Sequence, residues 1–341
     1  MTDPMTGRRS ALFEPDPARI ARLDAEWRRR LSQSLAYVGE TLAARGQDFQ
    51  ADIGLATAAL DAGPASPWIT GLYSRLVSEV ATNDSGVAKT VADLVEAANL
   101  PARSARAIVL DDASVPARWW TQYRRLIDTD EKRRFRPRPP SPEDAEATIR
   151  VLDDGMEVLR RADPAFHDEV GALARVVVLG VPESDARSDG FGACSTFFMR
   201  ETVLVNAAAP RSAVDAVDVL VHETSHILLF SLAMNQALTT DGGEARFASA
   251  ARSDPRPIDG IFHAAFVSTR VHLALTRMIA SARLTETEAA DAERQLTRNE
   301  RVATQTLETV VRHGAPTAVG QGILDALTLY WDVPGRTADA A

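Results

Sequence analysis

The sequence predicts an α+β fold that is mostly α, and three observations lead to this prediction. Short apolar or β-branched runs at residues 175–179, 195–199 and 202–205 indicate strands, the last two joined by a tight connection at Arg200-Glu201. Apolar residues recur at helical spacing on both sides of these runs. Because the strands are grouped and do not alternate with helices, we expect a small mixed or antiparallel sheet beside a run of helices.

A proline-rich stretch divides the chain into two predicted regions. Residues 133–142 contain four prolines among arginines, which excludes regular structure there. Residues 1–135 are predicted to form an N-terminal helical region, with helical periodicity at 17–44, 68–81 and 87–98. Residues 136–341 are predicted to form a second domain. It begins with a helix capped by Ser141, and after the strands it has predicted helices at 212–234, 260–283, 285–312 and 316–329.

Composition and charge exclude several classes of protein. The net charge of the 341-residue chain is −9, whereas a nucleic-acid-binding protein needs a basic surface. A lone cysteine, Cys194, excludes an intramolecular disulfide and a cysteine-rich zinc cluster. The first residues lack the apolar segment of a signal peptide, and no run approaches the roughly 18 apolar residues of a membrane span. We therefore expect a cytoplasmic protein that binds neither nucleic acid nor membrane.

The pentapeptide His222-Glu223-Thr224-Ser225-His226 is the strongest chemical signal in the sequence. Histidines four residues apart project from one face of a helix, so both imidazoles can reach one metal ion. The residues around the motif are apolar almost all round the predicted helix, which indicates burial. Burying two histidines and a glutamate without a purpose is costly. The second domain is therefore predicted to be a metal-binding catalytic domain, with Glu223 as a catalytic residue.

Two residues are candidates for the third metal ligand. His263 is the one polar residue on the inward face of an apolar helical stretch at 260–266. Glu244 follows the pair Gly242-Gly243 in a predicted loop or helix start. His263 is the favoured ligand, because a two-histidine site needs completion and a lone histidine on an apolar face near it can supply it. Glu244 remains open as the alternative.

Arginines close to His263 in the sequence suggest a site for a carboxylate. Arg252 and Arg256 lie in a proline-stiffened segment, predicted as a loop, just before the His263 helix. Arg270 follows His263 by two helical turns and so shares its face. A planar guanidinium binds a carboxylate through two parallel hydrogen bonds.

These residues together resemble the HExxH-motif peptide-modification family. The resemblance is carried by His222-Glu223-x-x-His226, by Arg252-Ser253-Asp254-Pro255-Arg256-Pro257 and by Gly260-Ile261-Phe262-His263, and it spans about residues 172–341. Members associated with ribosomally made peptide natural products are α-ketoglutarate-dependent β-hydroxylases.

The resemblance implies an iron enzyme that modifies a precursor peptide. It implies a zincin-like fold, in which the small sheet packs on the helix with the motif, and Fe(II) held by His222, His226 and His263. Glu223 would then orient groups bound at the metal or act as a base beside it. Arg256, or else Arg252 or Arg270, would bind the distal carboxylate of the co-substrate α-ketoglutarate. The strand at 202–205 resembles the edge strand that binds extended peptide by β-augmentation.

Two other functions remain open. A zinc peptidase would use Glu223 as the general base that activates a metal-bound water, with His263 or Glu244 as the third ligand. A peptide-binding scaffold would keep the metal for structure alone, but such a site does not need Glu223. Arginines aimed at a co-substrate carboxylate are needed by an oxygenase and not by a peptidase, which favours the oxygenase.

Overall fold

The fold was taken from a computed structural model, which describes residues 11–100, 106–129, 134–183, 191–234, 236–241 and 243–333. In this part of the chain the protein is mostly helical and has a small mixed sheet, which confirms the predicted α+β class with mostly α content. The finer zincin-like arrangement is not shown by these elements alone.

The chain forms two compact units that are interleaved in sequence. The motif unit comprises Met1–Asp16, Asp154–Asp168 and Ser212–Ala341, and the sheet unit comprises Pro17–Asp153 and Glu169–Arg211. Residues 135 and 136, where sequence analysis places a domain boundary, both belong to the sheet unit. Spatial proximity alone does not show which part of a chain folds independently, so the division into 1–135 and 136–341 stays a prediction.

Helices make up most of the sheet unit, and their starts and ends follow the predicted periodicity closely. α1, α3 and α4 lie where sequence analysis predicts helices, whereas α2, α5 and α7 were not predicted. Ser141 caps α6 as predicted, because its Oγ accepts a hydrogen bond from the Asp144 N–H at 3.1 Å. The residues of α6 and of α7 are divided between the two units. The helices are α1 Pro17–Ala44, α2 Gln50–Ala62, α3 Trp68–Thr82, α4 Val87–Ala98, α5 Ala117–Ile127, α6 Pro142–Ala162 and α7 Pro164–Leu173.

The sheet has four described strands in the order β1-β2-β4-β3. They are β1 Arg106–Val109, β2 Val176–Gly180, β3 Ala193–Ser195 and β4 Thr202–Asn206. β1, β2 and β4 are parallel, and β3 pairs antiparallel with β4. The sheet is therefore mixed, as predicted, with the unpredicted β1 added at one side. The sequence does not reveal β1, because Arg-Ala-Ile-Val has only two β-branched residues and lacks the longer apolar run that marks β2 and β4.

Two predictions about the strands are wrong. The strand predicted at 195–199 ends at Ser195, and Phe197–Met199 is a single 3-10 turn. Thr196 starts this turn by accepting a hydrogen bond from the Phe198 N–H, so a side chain competes with strand pairing there. β4 is not an edge strand, since β2 and β3 pair with its two sides. β3 is the outer strand on that side of the described sheet.

The proline-rich stretch lies within the sheet unit. The backbone N–H groups of Phe135 and Arg136 donate to the Asp128 carboxylate at 3.0 and 2.9 Å. The Phe135 ring packs on Phe191 with centroids 4.6 Å apart, and Arg138 forms an isolated antiparallel bridge with Val181. The described residues of this stretch that precede α6 are irregular, as predicted, and contacts with residues distant in sequence hold them in place.

The motif unit is built from four long helices and a hairpin. The helices are α8 Ala213–Ala233, α9 Ile258–Ala280, α10 Glu286–His313 and α11 Ala318–Trp331, and the hairpin pairs β5 Phe247–Ser249 with β6 Arg252–Arg256. Ser212 caps α8 by accepting a hydrogen bond from the Asp215 N–H. Thr285 and Glu288 form a capping box at the start of α10. These caps explain why the predicted limits of α8 and α10 match the structure.

β6 corrects the prediction of a proline-stiffened loop at residues 252–256. The segment is the second strand of an antiparallel hairpin, in register Phe247↔Arg256 and Ser249↔Arg252. Pro255 is tolerated because a strand of a two-stranded sheet has one side whose N–H groups need no strand partner. The sequence suggested a loop because two prolines flank Arg256.

Among the described helices, α8 is the one long and apolar enough to cross a membrane. Of its most apolar 18-residue stretch, 72% is buried inside the protein, the pattern of a core helix. The absence of membrane binding and the cytoplasmic location stay predictions.

Candidate metal centre

His222 and His226 lie one turn apart on α8, with ring centroids separated by 5.1 Å. α8 places them together because it is an uninterrupted helix in which i and i+4 side chains are neighbours. The flanking residues Val221 and Ile227 are buried and hold this part of the helix in the core, whereas the two imidazoles are only partly buried. Both rings therefore keep a face through which a ligand can approach.

His263 on α9 completes a cluster of three imidazoles. Its ring centroid lies 5.7 Å from that of His226. Phe230, one turn after His226 on α8, packs against both rings, at 6.3 Å from His226 and 5.6 Å from His263. The cluster thus draws two rings from α8 and one from α9, with an aromatic side chain on one flank.

The ring spacing fits three imidazoles around one ion. With metal–nitrogen distances of about 2.1 Å, ring centroids around a tetrahedral or octahedral ion are about 4.6–5.3 Å apart. The observed 5.1 and 5.7 Å lie at or slightly above this range. Within the described residues, however, no group of three His, Cys, Asp or Glu side chains is arranged to hold a metal ion as it stands. Binding an ion therefore requires the rings to rotate, which the broad χ2 torsion of histidine permits.

The three imidazoles are held in the neutral form that a metal requires. Desolvation by the surrounding protein lowers the pKa of His222 to about 4, with a smaller contribution from the positive charge of Arg298. Desolvation also lowers the pKa of His226 well below its usual value, aided by His222 and His263. The pKa of His263 is lowered by desolvation and raised by Asp259, whose Oδ2 lies 3.7 Å from Nε2. Neutral rings need to release no proton when they bind a metal.

The metal-free protein is expected to lose stability as the pH falls from about 6.5 toward 4. In this window the unfolded chain binds a proton at His222 and the folded protein does not, because the pKa of His222 is lowered only in the folded state. The stability linked to the neutral His222 ring is therefore fully present above pH 6.5 and is lost below about pH 4. The shift corresponds to about 3 kcal/mol for this ring. Urea unfolding across this range should show a shallower pH dependence for His222→Asn than for the parent. The exposed His313 provides the control His313→Asn, and an equal slope for His222→Asn and the parent would contradict the expectation.

The two candidates for the third ligand differ in their surroundings. Glu244 is exposed in the irregular segment before β5, whereas the His263 ring packs against the His226 ring. The structure therefore favours His263. Glu223 is 4% exposed and follows His222 directly on α8, with further contacts inside the protein. A buried carboxylate can orient a ligand or accept a proton, and the catalytic role of Glu223 stays a prediction.

The three predicted carboxylate-binding arginines have different environments. Arg256 on β6 is half-buried, and its Nε lies 3.2 Å from Asp254 Oδ2. The side chain of Arg252 lies outside the described residues. Arg270 is 1% exposed, its guanidinium donates to the Phe13 carbonyl oxygen and its Cζ lies 4.7 Å from the centroid of a phenylalanine ring. Arg270 thus holds the N-terminal segment, and Arg256 is the better placed to bind a ligand.

Sequence analysis missed Arg298 on α10. Its guanidinium donates to the Asp218 carboxylate, one turn before His222 on α8, and its charge helps to lower the pKa of His222. Burial raises the pKa of Asp218 to about 6, and Arg298 opposes this shift. Arg298 therefore lies on the His222 side of the cluster. No sequence signal links it to the motif, because Arg298 lies 80 residues after Asp218 and only the packing of α10 brings it there.

No protein-family model matches the chain, and a search of curated proteins found none with significant similarity to it.

Proposed function

We propose that the protein is a metal-dependent enzyme, an Fe(II)- and α-ketoglutarate-dependent hydroxylase that acts on a β-carbon of a ribosomally made precursor peptide. The observation that carries the proposal is the cluster of three imidazoles from α8 and α9, whose lowered pKa values favour the neutral form. Two of its ring pairs have centroids 5.1 and 5.7 Å apart, at and slightly above the spacing of ligands to one ion. The choice of iron and of this co-substrate rests on the resemblance described from the sequence.

His222, His226 and His263 would hold the metal. Bound there, iron with α-ketoglutarate supplies oxygen-dependent hydroxylation of an unactivated C–H bond. Three protein ligands leave further positions for the co-substrate and oxygen. Phe230 flanks the rings and limits water on that side. Glu223, buried beside His222, would orient the bound groups or hold a proton.

Arginine supplies the charge that the co-substrate needs. The distal carboxylate of α-ketoglutarate would be expensive to leave unpaired in a partly dry site. Arg256 is the first candidate, since it lies seven residues before His263, immediately ahead of α9. Its present partner, Asp254, is close enough to hold the guanidinium until a ligand carboxylate competes for it. Arg298 is a second candidate, through its position near His222.

Turnover of α-ketoglutarate tests the proposal without knowledge of the peptide. The protein would be purified without oxygen and loaded with either Fe(II) or Zn(II). We expect the iron form to produce succinate from α-ketoglutarate once oxygen is admitted, and the zinc form to produce none. Addition of the true precursor peptide should increase the rate and add the mass of one oxygen atom to the peptide. Peptide hydrolysis by the zinc form, with no succinate from the iron form, would contradict the proposal.

A zinc peptidase is the second candidate function, and the buried position of Glu223 beside His222 favours it. The variant Glu223→Gln separates the two functions. A peptidase would lose its general base, and hydrolysis of a fluorogenic peptide would fall by about 10²–10⁴-fold. In the hydroxylase we expect Glu223→Gln to retain its iron and to form succinate within about a hundredfold of the parent rate. Glu308→Gln, on the exposed face of α10, is the matched control.

A further inference from the structure

Asp259 lies in the first turn of α9, one helical turn before His263. Side chains four residues apart on a helix are neighbours, so the Asp259 carboxylate shares the face of His263. Asp259 Oδ2 lies 3.7 Å from His263 Nε2, and the Asp259 side chain is 52% exposed, against 20% for His263. Asp259 therefore stands at the solvent side of the imidazole cluster, next to its third ring.

The separation of Asp259 Oδ2 and His263 Nε2 is longer than a hydrogen bond and close to that of two donors to one ion. A hydrogen bond between nitrogen and oxygen is about 2.7–3.2 Å long. Two donor atoms that bind one ion at about 2.1 Å lie about 3.0–3.4 Å apart. The observed 3.7 Å is slightly above the second range. A small movement of Asp259, together with the ring rotations that metal binding requires, brings both atoms within reach of one ion.

A metal held by imidazoles alone lacks a compensating negative charge. The surroundings of His222, His226 and His263 favour their neutral form, so a divalent cation among them keeps both of its charges. Uncompensated charge is expensive in a partly dry site. In non-haem iron centres with two histidines, a carboxylate ligand supplies one compensating charge. Asp259 can supply this charge from the solvent side of the cluster.

The position of Asp259 also allows it to leave the ion. Four protein ligands leave two positions on a six-coordinate ion, whereas α-ketoglutarate bound through two oxygens and molecular oxygen need three. Because about half of the Asp259 side chain is exposed, its released carboxylate returns to water with little desolvation cost. An incoming carboxylate then replaces it with no loss of negative charge at the ion.

We infer that Asp259 is a fourth, displaceable ligand of the ion held by His222, His226 and His263, and that the carboxylate of the co-substrate replaces it. This inference rests on the proposed function and adds regulation of the same site. Asp259 and α-ketoglutarate compete for one position on the ion, so Asp259 stabilises the metal while the co-substrate is absent and opposes its binding.

This competition has two effects that must be equal in size. A group that binds the ion only while α-ketoglutarate is absent strengthens metal binding in the free protein. By thermodynamic linkage it weakens co-substrate binding by the same factor. A residue that merely supports the start of α9 would change metal binding equally with and without the co-substrate. The pattern of affinities therefore separates a competing ligand from a structural residue.

Asp259→Ala in the full chain tests the inference, because it removes both donor oxygens of a half-exposed side chain. Fe(II) affinity would be measured without oxygen by competition with a chelating indicator, in the presence and absence of saturating α-ketoglutarate. We expect Fe(II) binding at least about tenfold weaker than in the parent without the co-substrate, and nearly equal to the parent with it. Calorimetric titration of the iron-loaded variant should show α-ketoglutarate binding tighter by the same factor.

Glu286→Ala is the matched control. It removes an exposed carboxylate from the first turn of α10, and so reproduces the loss of a favourable charge at a helix start away from the imidazoles. Both affinities should equal those of the parent in this variant.

The other outcomes overturn the inference. Unchanged Fe(II) affinity in Asp259→Ala would show that Asp259 is not a ligand, and an equal loss with and without α-ketoglutarate would show that it does not compete. If the parent binds both iron and α-ketoglutarate, either result overturns this inference alone and leaves the hydroxylase standing. If the parent binds iron but no α-ketoglutarate, the proposed function fails and the displacement of Asp259 fails with it. The Fe(II) affinity of Asp259→Ala then still decides whether Asp259 is a ligand.

Discussion

Replacing His226 by alanine is expected to abolish metal binding. His226 is the central ring of the cluster, 5.1 Å from His222 and 5.7 Å from His263, so its loss leaves two imidazoles without the ligand between them. Two remaining donors are too few for a tight protein site. The metal content after dialysis should fall from about one ion per chain to below about one tenth, and succinate formation should be lost with it.

His313→Ala is the matched control for His226→Ala. His313 stacks on Phe247 at the end of α10 and lies outside the cluster, so this variant should retain its metal. Comparing His263→Ala with Glu244→Gln then identifies the third ligand. We expect metal loss in His263→Ala alone. Full metal content in His226→Ala would show that the motif does not bind a metal, and metal loss in Glu244→Gln but not in His263→Ala would favour the peptidase.

Replacing Arg256 by lysine is expected to weaken α-ketoglutarate binding while sparing the metal. A lysine ammonium keeps the charge but cannot form the two parallel hydrogen bonds of a guanidinium. The loss of a hydrogen bond to a charged group corresponds to a roughly 10- to 100-fold increase in the dissociation constant. The measurement is calorimetric titration of the iron-loaded, oxygen-free protein, with iron content determined on the same sample.

Three further arginine variants define the specificity of that effect. Arg246→Lys changes an exposed arginine just before β5 and should bind the co-substrate normally. Arg298→Lys tests the arginine near His222. A loss of α-ketoglutarate affinity in Arg298→Lys, and not in Arg256→Lys, would indicate that the carboxylate binds at α10. Arg252→Lys tests a second arginine of the predicted set, whose third member, Arg270, donates to the Phe13 carbonyl oxygen. Unchanged affinity in the Arg252, Arg256 and Arg298 variants would contradict the hydroxylase at this site.

Most of the described helices could be predicted from the sequence because their signals are local, although α2, α5 and α7 were missed. The apolar period and the caps at Ser141, Ser212 and Thr285 define starts and ends without reference to distant residues. Strands are defined by their partners, and that information is not local. β1 was therefore missed, and β4 was placed at an edge although β3 pairs with its outer side.

In the candidate site, too, the local features could be predicted and the contacts between residues distant in sequence could not. The pairing of His222 with His226 follows from a spacing of four residues on one helix, and the inward face of His263 follows from the period of α9. The partners of the arginines do not follow from spacing. Arg270 was placed by its helical face, yet its guanidinium donates to the backbone of Phe13, 257 residues away. Arg298 reaches the His222 side only through the packing of α10, and β6 becomes a strand only by pairing with β5.

The most direct test of the metal centre is the structure of the metal-loaded protein, with the ion located by anomalous scattering. We expect one ion, bound by the side-chain nitrogens of His222, His226 and His263 at about 2.0–2.2 Å. The rings must rotate from their present positions to reach it. An ion bound by His222, His226 and Glu244, with the His263 ring turned away, would contradict the three-histidine centre and support the peptidase. An ion bound elsewhere would contradict both.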